Sequence, residues 1–263
     1  MTNSRPSSPR TAPVAVEVRA AEKVFANGVR ALDPIDLVVR EGEFATIIGP
    51  SGCGKSTLLR LIAGLTQPTG GSARLSPEAQ SAGFAFVFQS PTLMPWTNVA
   101  TNVRLPLDLA GIARTAAKRK VQHALELVGL QNFAHLYPRE LSGGMQMRAS
   151  IARALVTGTR LLLMDEPFGA LDEITRNRLD RDLSELCARE KLTVLFVTHS
   201  IYEAVCLSSR VLVMSARPGR ILMEVVIDEP QPRREAFRTT EKFARLSTGL
   251  SGMLATAMHG APA

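Results

Sequence analysis

The stretch from Phe44 to Thr57, FATIIGPSGCGKST, decides the fold of this chain. Phe44 to Ile48 predicts a short apolar strand, and Thr57 to Gly64 has the spacing of a helix. Between them, Gly49 to Ser56 fits the pattern G-x-x-x-x-G-K-[ST]. A glycine-rich loop in this position lets backbone N–H groups and the positive end of the helix face an anion. The stretch therefore predicts a cradle for the phosphates of a nucleotide.

Two polar side chains of the cradle have expected roles. Lys55 is expected to reach the β- and γ-phosphates, and the Ser56 hydroxyl is expected to ligate Mg²⁺. The alternative, a glycine turn with an incidental lysine, is disfavoured because a strand and a helix flank the loop. The predicted phosphate-binding residues are Gly49, Pro50, Ser51, Gly52, Cys53, Gly54, Lys55, Ser56 and Thr57.

A second apolar strand, Leu161 to Met164, ends in the two carboxylates Asp165 and Glu166. Asp165 is placed to hold Mg²⁺ through water, as the acid at this position does in phosphoryl-transfer enzymes. Side chains alternate along a strand, so Glu166 is expected on the opposite side, facing an attacking water. Two acids at a strand end are common by themselves, but the phosphate cradle upstream favours the catalytic interpretation.

Ser142, Gly143 and Gly144 follow Leu141 and open a predicted helix. They make a second anion cradle, although one chain needs only one cradle for each nucleotide. Two cradles in one chain indicate that a nucleotide is sandwiched between two subunits. A helix N-cap followed by a flexible turn is the alternative for this segment alone.

The rest of the chain alternates strands with helices, which predicts a largely parallel sheet. Residues 14–48 are predicted to form short strands, with Asn27-Gly28 as a hairpin turn. Residues 92–157 have a helical pattern and are predicted to be an insert in a larger α/β domain. Arg217-Pro218-Gly219 between two late strands is typical of a type II turn.

The C-terminal segment and the N-terminal tail give weaker patterns. Phe243, Leu246, Leu250, Met253 and Ala257 have the spacing of a helix face, but Gly249 and Gly252 weaken a helix there. Residues 1–13 contain Pro, Ser and Arg without an apolar run, so they are predicted to be a disordered tail and not a secretory signal.

The composition of the 263 residues is that of a globular protein, with 45% hydrophobic and 21% charged residues. The net charge of +7 comes from scattered basic residues, of which Lys118, Arg119 and Lys120 form the densest cluster. No aromatic platform accompanies this charge, so we expect no nucleic-acid partner. The three cysteines are widely spaced, which predicts neither a disulfide framework nor a zinc site. No apolar stretch reaches the length of a membrane span, so the chain is not expected to cross a bilayer.

Together, these segments resemble the nucleotide-binding subunit of ABC transporters over about residues 14–228. The resemblance implies an α/β fold with a P-loop NTPase (RecA-like) core and a mainly parallel sheet. It also implies an N-terminal antiparallel β subdomain and an inserted α-helical subdomain at about 92–157. Residues 229–263 would then be a C-terminal extension.

The resemblance also assigns roles to further residues. Phe25 resembles the aromatic residue that stacks on adenine, although it lacks the tyrosine hydroxyl. Gln89 matches the glutamine that contacts Mg²⁺ and water, Asp172 matches the end of the D-loop, and His199 matches the switch histidine at the γ-phosphate. Ser200 follows this histidine where many relatives have aspartate. The implied catalytic residues are Lys55, Gln89, Glu166 and His199, and the implied metal ligands are Ser56, Gln89 and Asp165.

The implied function is ATP hydrolysis with Mg²⁺ by two copies of the chain that close head to tail around two ATP molecules. The expected partners are integral-membrane permease subunits and, indirectly, a solute-binding protein, at the cytoplasmic face of the plasma membrane. Three segments resemble importers for nitrate, sulfonate, taurine and similar solutes: Leu93–Trp96, Pro167–Glu173 and Val213–Arg220. An ABC exporter ATPase and a soluble ABC ATPase outside transport are the alternatives.

Overall fold

The computed structural model describes residues 12–259 and contains two sheets with helices around them. The strands are β1 (Val14–Val24), β2 (Arg30–Arg40), β3 (Phe44–Ile48), β4 (Gly70–Leu75), β5 (Phe84–Val87), β6 (Leu161–Asp165), β7 (Thr193–Thr198), β8 (Arg210–Met214) and β9 (Ile221–Val226). The α-helices are α1 (Lys55–Ile62), α2 (Pro77–Ala82), α3 (Val99–Leu109), α4 (Arg114–Leu127), α5 (Gly143–Leu155), α6 (Glu173–Glu190), α7 (Ile201–Leu207) and α8 (Glu241–His259).

The smaller sheet is antiparallel, with strand order β2-β1-β4. In β1, Val16 and Val18 are buried and lie opposite Val39 and Leu37 of β2. The predicted turn at Asn27-Gly28 is confirmed within the loop between β1 and β2, where Gly28 has a φ of 81°. An antiparallel N-terminal sheet is thus present, as predicted.

The larger sheet has the strand order β5-β6-β7-β3-β8-β9. All its neighbours are parallel except β8 and β9, so the prediction of a mainly parallel sheet is confirmed. In this register Ile48 lies beside Thr198, and Asp165 lies beside Val197. The loops that follow β3, β6 and β7 therefore leave the sheet at one edge, where ligands bind in sheets of this kind.

Three helices, α3, α4 and α5, occupy the connection between β5 and β6. Val121, Leu125 and Val128, the residues with helical spacing, are buried in the core that these helices share with α6 and one face of the larger sheet. A helical insertion is thus present, and its limits of about 92–157 stay a prediction. Among residues 12–259, no helix combines the length and the apolar character that crossing a membrane requires.

The predicted type II turn at Arg217-Pro218-Gly219 is wrong. That turn needs a positive φ at its glycine, and Gly219 has none, while the Arg217–Pro218 peptide bond is cis. A Cβ on Gly219 would lie 2.3 Å from the carbonyl oxygen of Cys53. Glycine is therefore needed here because the loop packs directly against the phosphate cradle.

The described parts of the two terminal segments include Ala12, Pro13 and helix α8. Residues 1–11 of the predicted tail lie outside the described residues. Ala12 and Pro13 are held, since their carbonyl oxygens accept hydrogen bonds from Arg40 Nη1 and the Glu41 amide at 2.8 and 2.9 Å. At the other end, α8 continues through Gly249 and Gly252, and its Leu250 is buried.

Candidate functional site

The loop after β3 holds Lys55 almost completely buried, with 4% of the residue exposed. Its ammonium donates to the carbonyl oxygens of Gly49 and Pro50 at 2.9 and 3.1 Å. Gly54 has a φ of 112°, and a Cβ there would lie 2.6 Å from Leu32 Cδ2. A side chain at this position would therefore clash with β2, and the loop keeps its shape because residue 54 is glycine.

The Ser56 hydroxyl and the Asp165 carboxylate meet at the ends of the loop and of β6. Ser56 donates a hydrogen bond to Asp165 Oδ1 at 2.7 Å. Burial raises the pKa of Asp165, so a nearby cation would favour its ionised form. Oxygen ligands of this kind suit Mg²⁺, which also keeps several waters and phosphate oxygens. The described residues contain no group of three or more His, Cys, Asp and Glu side chains that could cage a metal by themselves.

Glu166 lies between the phosphate cradle and His199. Its Oε2 is 3.0 Å from His199 Nδ1, and its Oε1 is 3.8 Å from Lys55 Nζ. The expectation from strand alternation, that Glu166 faces away from Asp165, stays a prediction. Glu166 has a φ of 45°, so it has left the extended conformation, and its carboxylate turns toward Lys55.

Gln89 follows β5 and lies close to Glu166 and His199. A Cβ on Gly169 would lie 3.4 Å from Gln89 Nε2, 3.4 Å from the Glu166 carbonyl and 3.6 Å from His199 Cε1. Gly169 is thus the point around which these three residues converge. The structure therefore brings together six of the residues predicted from the sequence: Lys55, Ser56, Gln89, Asp165, Glu166 and His199.

Phe25 lies in the loop between β1 and β2, with 43% of the residue exposed. Lys23 Nζ is 5.6 Å from the centre of its ring. The same end of β2 supports the phosphate cradle, because the Ala31 carbonyl lies 2.9 Å from a Cβ built on Gly54. The contact of Phe25 with adenine stays a prediction.

The second cradle begins at an exposed helix end. Ser142 is the N-cap of α5, and its Oγ accepts a hydrogen bond from the Met145 amide at 3.3 Å. A Cβ on Gly143 would lie 3.3 Å from Leu171 Cδ2, so this helix end packs against the loop after β6. Among the described residues, neither Ser142 nor Gly143 forms a hydrogen bond with the loop from Gly49 to Thr57 of the same chain.

Asp172 has a structural partner within its own helix. It is the N-cap of α6, and its Oδ1 accepts a hydrogen bond from the Thr175 amide at 3.0 Å. This hydrogen bond lowers the pKa of the Asp172 carboxyl. Its predicted role in nucleotide binding stays a prediction, since the observed contacts explain its place at the helix start.

Sequence reasoning missed a pair of residues beside the site, Arg176 in α6 and Glu203 in α7. Ser200 and Glu203 fit the pattern S-x-x-E, which predicts a capping box at the start of a helix. Half of that box forms, because Ser200 Oγ accepts from the Glu203 amide at 3.2 Å. The Glu203 carboxylate instead accepts a hydrogen bond from the Thr198 hydroxyl, a contact that no local pattern indicates.

Comparison with known proteins agrees with this arrangement. The family model described as "ABC transporter" matches residues 32–169. An aliphatic sulfonates import ATP-binding protein of Bacillus licheniformis is 39% identical over 251 residues, 88% of this chain and 97% of the relative. A nitrate import ATP-binding protein of Synechocystis sp. is 40% identical over 251 residues, 91% of this chain and 94% of the relative.

Solved structures share the fold as well. A dimeric ATP-binding cassette in a post-hydrolysis state, bound to ADP and Pi, is 30% identical with a TM-score of 0.70. The match covers 82% of this chain and 100% of that one. The order of the motifs, the shared edge of the sheet and the similarity along most of the sequence lead to one conclusion. The chain belongs to the ABC transporter family, in which it is an ATP-binding cassette.

Proposed function

We propose that this chain binds ATP at the loop from Gly49 to Thr57 and hydrolyses it with Glu166 as the residue that orients or deprotonates water. The observation that carries the proposal is the position of the Glu166 carboxylate. It lies beside the cradle, 3.8 Å from Lys55 Nζ and 3.0 Å from His199 Nδ1. A general base must stand within reach of both the proton it takes and the group that holds it in place.

The other residues of the site divide the work of phosphoryl transfer. Loop amides and Lys55 offset the charge of the β- and γ-phosphates, and Lys55 uses two of its three N–H donors on the Gly49 and Pro50 carbonyls. His199 holds Glu166, and Gln89 borders the same space. Water attacks the γ-phosphorus in line while the bond to the β-phosphate oxygen breaks, which gives ADP and phosphate.

Ser56 and Asp165, with Gln89 nearby, would hold the Mg²⁺ that accompanies ATP. The metal would supply positive charge next to the transferred phosphoryl group. The fit rests on the 2.7 Å hydrogen bond between the Ser56 hydroxyl and Asp165, which places two oxygen ligands together. It also rests on the buried setting of Asp165, because a carboxylate there gains from a cation.

The test of hydrolysis is Glu166→Gln. Loss of a general base costs about 10²–10⁴-fold, so the rate of phosphate release should fall by at least that factor. The affinity for labelled ATP should stay within about threefold, because the cradle is intact. Glu190→Gln, at the far end of α6, should behave like the wild type. Near-normal turnover by Glu166→Gln would overturn the role of this residue.

We further propose that the ATPase powers an importer for a small solute such as a nitrate, a sulfonate or taurine. Two relatives of about 40% identity carry names that specify import of aliphatic sulfonates and of nitrate. An exporter ATPase or a soluble ABC ATPase is less well supported, because no observation on this chain favours either one. The chain would act at the cytoplasmic face of the plasma membrane, where ATP is supplied, with a permease and a solute-binding protein as partners.

The segment Leu93–Trp96 supports docking on a permease. Trp96 is 73% exposed. Its segment is nevertheless fixed, because buried Asn102 hydrogen-bonds with the Met94 amide and carbonyl at 2.7 and 3.1 Å. Arg153 adds hydrogen bonds to the Pro91 and Thr92 carbonyls, each at 2.8 Å. A rigid loop that presents an exposed tryptophan matches the aromatic anchors of protein interfaces.

A tagged pull-down from detergent-solubilised membranes of the native host tests transport. We expect a multi-span permease to co-purify with the wild type, to be lost with Trp96→Ala and to be kept with Leu109→Ala. Leu109 is a matched control because it is an apolar residue that is 81% exposed. Recovery only in the soluble fraction, with DNA or ribosomes, would overturn the transport proposal and leave the ATPase proposal standing.

A further inference from the structure

A buried ion pair joins the two helices that follow the hydrolytic loops. Arg176 Nε in α6 lies 3.7 Å from Glu203 Oε1 in α7, and the side chains are 25% and 3% exposed. Helix α6 follows the loop that begins at Glu166, and α7 follows His199. The pair therefore sits directly behind the two residues that share the 3.0 Å contact in the site.

Glu203 holds the chain on both sides of His199. Its Oε2 accepts a hydrogen bond from the Thr198 hydroxyl, and Thr198 is the last residue of β7. The same hydroxyl oxygen accepts from the Ser200 amide at 3.0 Å. His199 thus lies between two residues whose positions depend on one carboxylate, and a shift of Glu203 would be transmitted to the imidazole.

Arg176 holds the loop that follows Glu166. Its Nη2 donates to the Leu171 carbonyl at 2.8 Å. In the same loop the Leu171 amide donates to the Phe168 carbonyl, and the Gly169 amide donates to the Glu166 carbonyl, both at 3.1 Å. One guanidinium therefore connects the Glu166 loop to Glu203, and through Glu203 to the segment that carries His199.

The charges of Glu203 and Arg176 make each residue depend on the other. Burial raises the pKa of Glu203, while the Thr198 hydrogen bond and Arg176 act in the opposite direction. A buried carboxylate without its cation is strongly disfavoured, so Glu203 depends on Arg176. The nearby Asp180 does not compete for this cation at neutral pH, because burial raises its pKa to about 8.

The contact between Arg176 and Glu203 is longer than a charged hydrogen bond, which is roughly 2.7–2.9 Å. Arg176 Nε is buried and has no hydrogen-bond partner of its own. A small approach of the two loops would let the pair close, and catalytic contacts often tighten in this way when substrate binds. The pair is thus connected to the segments that carry Glu166 and His199, and its two side chains can still move closer together.

We propose that Arg176 and Glu203 are positioning residues for ATP hydrolysis, whose ion pair keeps His199 and Glu166 in register by holding Thr198 and Leu171. Neither residue touches the reacting atoms. This inference rests on the proposed roles of Glu166 and His199. It adds a requirement that those roles do not contain, namely that α6 and α7 stay connected by charge.

Arg176→Gln and Glu203→Gln test the proposal through the split between kcat and KM. Each variant should lower kcat for ATP hydrolysis by about 10–100-fold, the usual cost of losing a group that orients a reactive one. The KM and the Kd for labelled ATP should stay within about threefold, because no residue of the cradle changes. The double variant should be no slower than the slower single variant, because the two side chains act as a unit.

Arg181→Gln is the matched control on the same helix. Arg181 forms an exposed ion pair with Glu235 at 3.1 Å, and its loss should leave kcat at the wild-type value. Thr198→Val keeps the shape of Thr198 without its hydroxyl and should lower kcat in the same range as Glu203→Gln. Should thermal melting show that a charge variant is unfolded, this substitution decides the question.

A wild-type kcat in Arg176→Gln, Glu203→Gln and Thr198→Val would overturn the inference. The inference would also be overturned if the kcat of the double variant fell by the product of the two single losses. Both results would leave the proposed function intact as long as Glu166→Gln still lowers turnover by at least about 10²-fold. If the wild type itself does not hydrolyse ATP, or if Glu166→Gln hydrolyses it normally, the proposed function fails instead.

Discussion

Asp180 is the most unusual single residue beside the site. It is 1% exposed, and neither of its carboxylate oxygens has a hydrogen-bond partner. It borders a cavity of about 20 Å³ that also touches Ser184, Cys206 and Arg238. That volume is enough for about one water molecule. Asp180 therefore lies where its charged form is poorly supported.

We expect Asp180 to make the protein less stable as the pH rises. Burial raises its pKa from 3.8 to about 8, with Glu203 adding to the increase and Arg238 and Arg176 opposing it. The folded pKa is above the unfolded one, so the folded state keeps a proton that the unfolded state loses. The contribution of Asp180 to the free energy of unfolding should thus be fully present below about pH 4 and should be lost as the pH rises to about 8.

Asp180→Asn removes this titration, and urea unfolding at pH 5, 6.5 and 8 measures the effect. The variant should gain stability relative to the wild type as the pH rises from 5 to 8, by at most about 1.4 kcal/mol for each pH unit. Glu185→Gln, on the exposed side of α6, should follow the wild-type curve at all three values. A constant difference between Asp180→Asn and the wild type across the pH range would contradict the prediction.

At the level of single residues, sequence reasoning identified the cradle and missed the support behind it. Lys55, Ser56 and their glycines could be predicted because a short segment contains the strand, the loop and the helix that define their geometry. Glu203 and Arg176 could not, because their meeting depends on how α6 packs against α7. Asp180 was missed for the same reason, since its helix gives no sign of what covers it.

Among the elements, α8 is a helix in spite of the low helix propensity of its two glycines. Gly249 and Gly252 weakened the prediction of a helix, yet α8 runs through both. Leu250 and Ala257 are each 1% exposed in a core shared with α7 and β8. Burial of this apolar stripe outweighs the roughly 1 kcal/mol cost of each glycine, because most helix stability in proteins comes from packing.

Replacing these glycines should stabilise the protein. A Cβ on Gly249 or Gly252 would meet no atom within 4 Å, and neither has a positive φ. Gly249→Ala and Gly252→Ala should each raise the free energy of unfolding by about 0.5–1 kcal/mol, measured by urea denaturation. Gly71→Ala should do the opposite, since its Cβ would lie 2.1 Å from the Ala20 carbonyl. Loss of stability in both α8 variants would contradict the prediction.

On the scale of the whole molecule, the parallel sheet gathers distant segments at one edge. The register that places Ile48 beside Thr198 and Asp165 beside Val197 brings the loops after β3, β6 and β7 together. Ser142 and Gly143 lie elsewhere, at an exposed helix end next to Leu171. This location agrees with the prediction that the segment from Ser142 to Gly144 completes the nucleotide site of a second subunit and not that of its own chain.

This separation predicts that ATP controls dimer formation. In Glu166→Gln, where ATP should persist, light scattering after gel filtration should show a monomer without nucleotide and a dimer with ATP and Mg²⁺. Adding Ser142→Arg should restore the monomer, because a bulky cation replaces the small N-cap that faces the second copy. Labelled ATP should still bind to this double variant, because its own cradle is unchanged. Dimer formation with Ser142→Arg present would place the interface elsewhere.

Ser76→Arg is the control that separates the interface from the loss of a helix cap. Ser76 is the N-cap of α2, and its side chain accepts from the Ala79 amide at 3.1 Å, as Ser142 does from Met145 in α5. Both substitutions remove a cap worth about 1 kcal/mol, so both should lower stability to a similar degree. Only Ser142→Arg should abolish the ATP-dependent dimer. The N-terminal ends of α2 and α5 have the same local structure, but only the end of α5 is expected to contact the second copy.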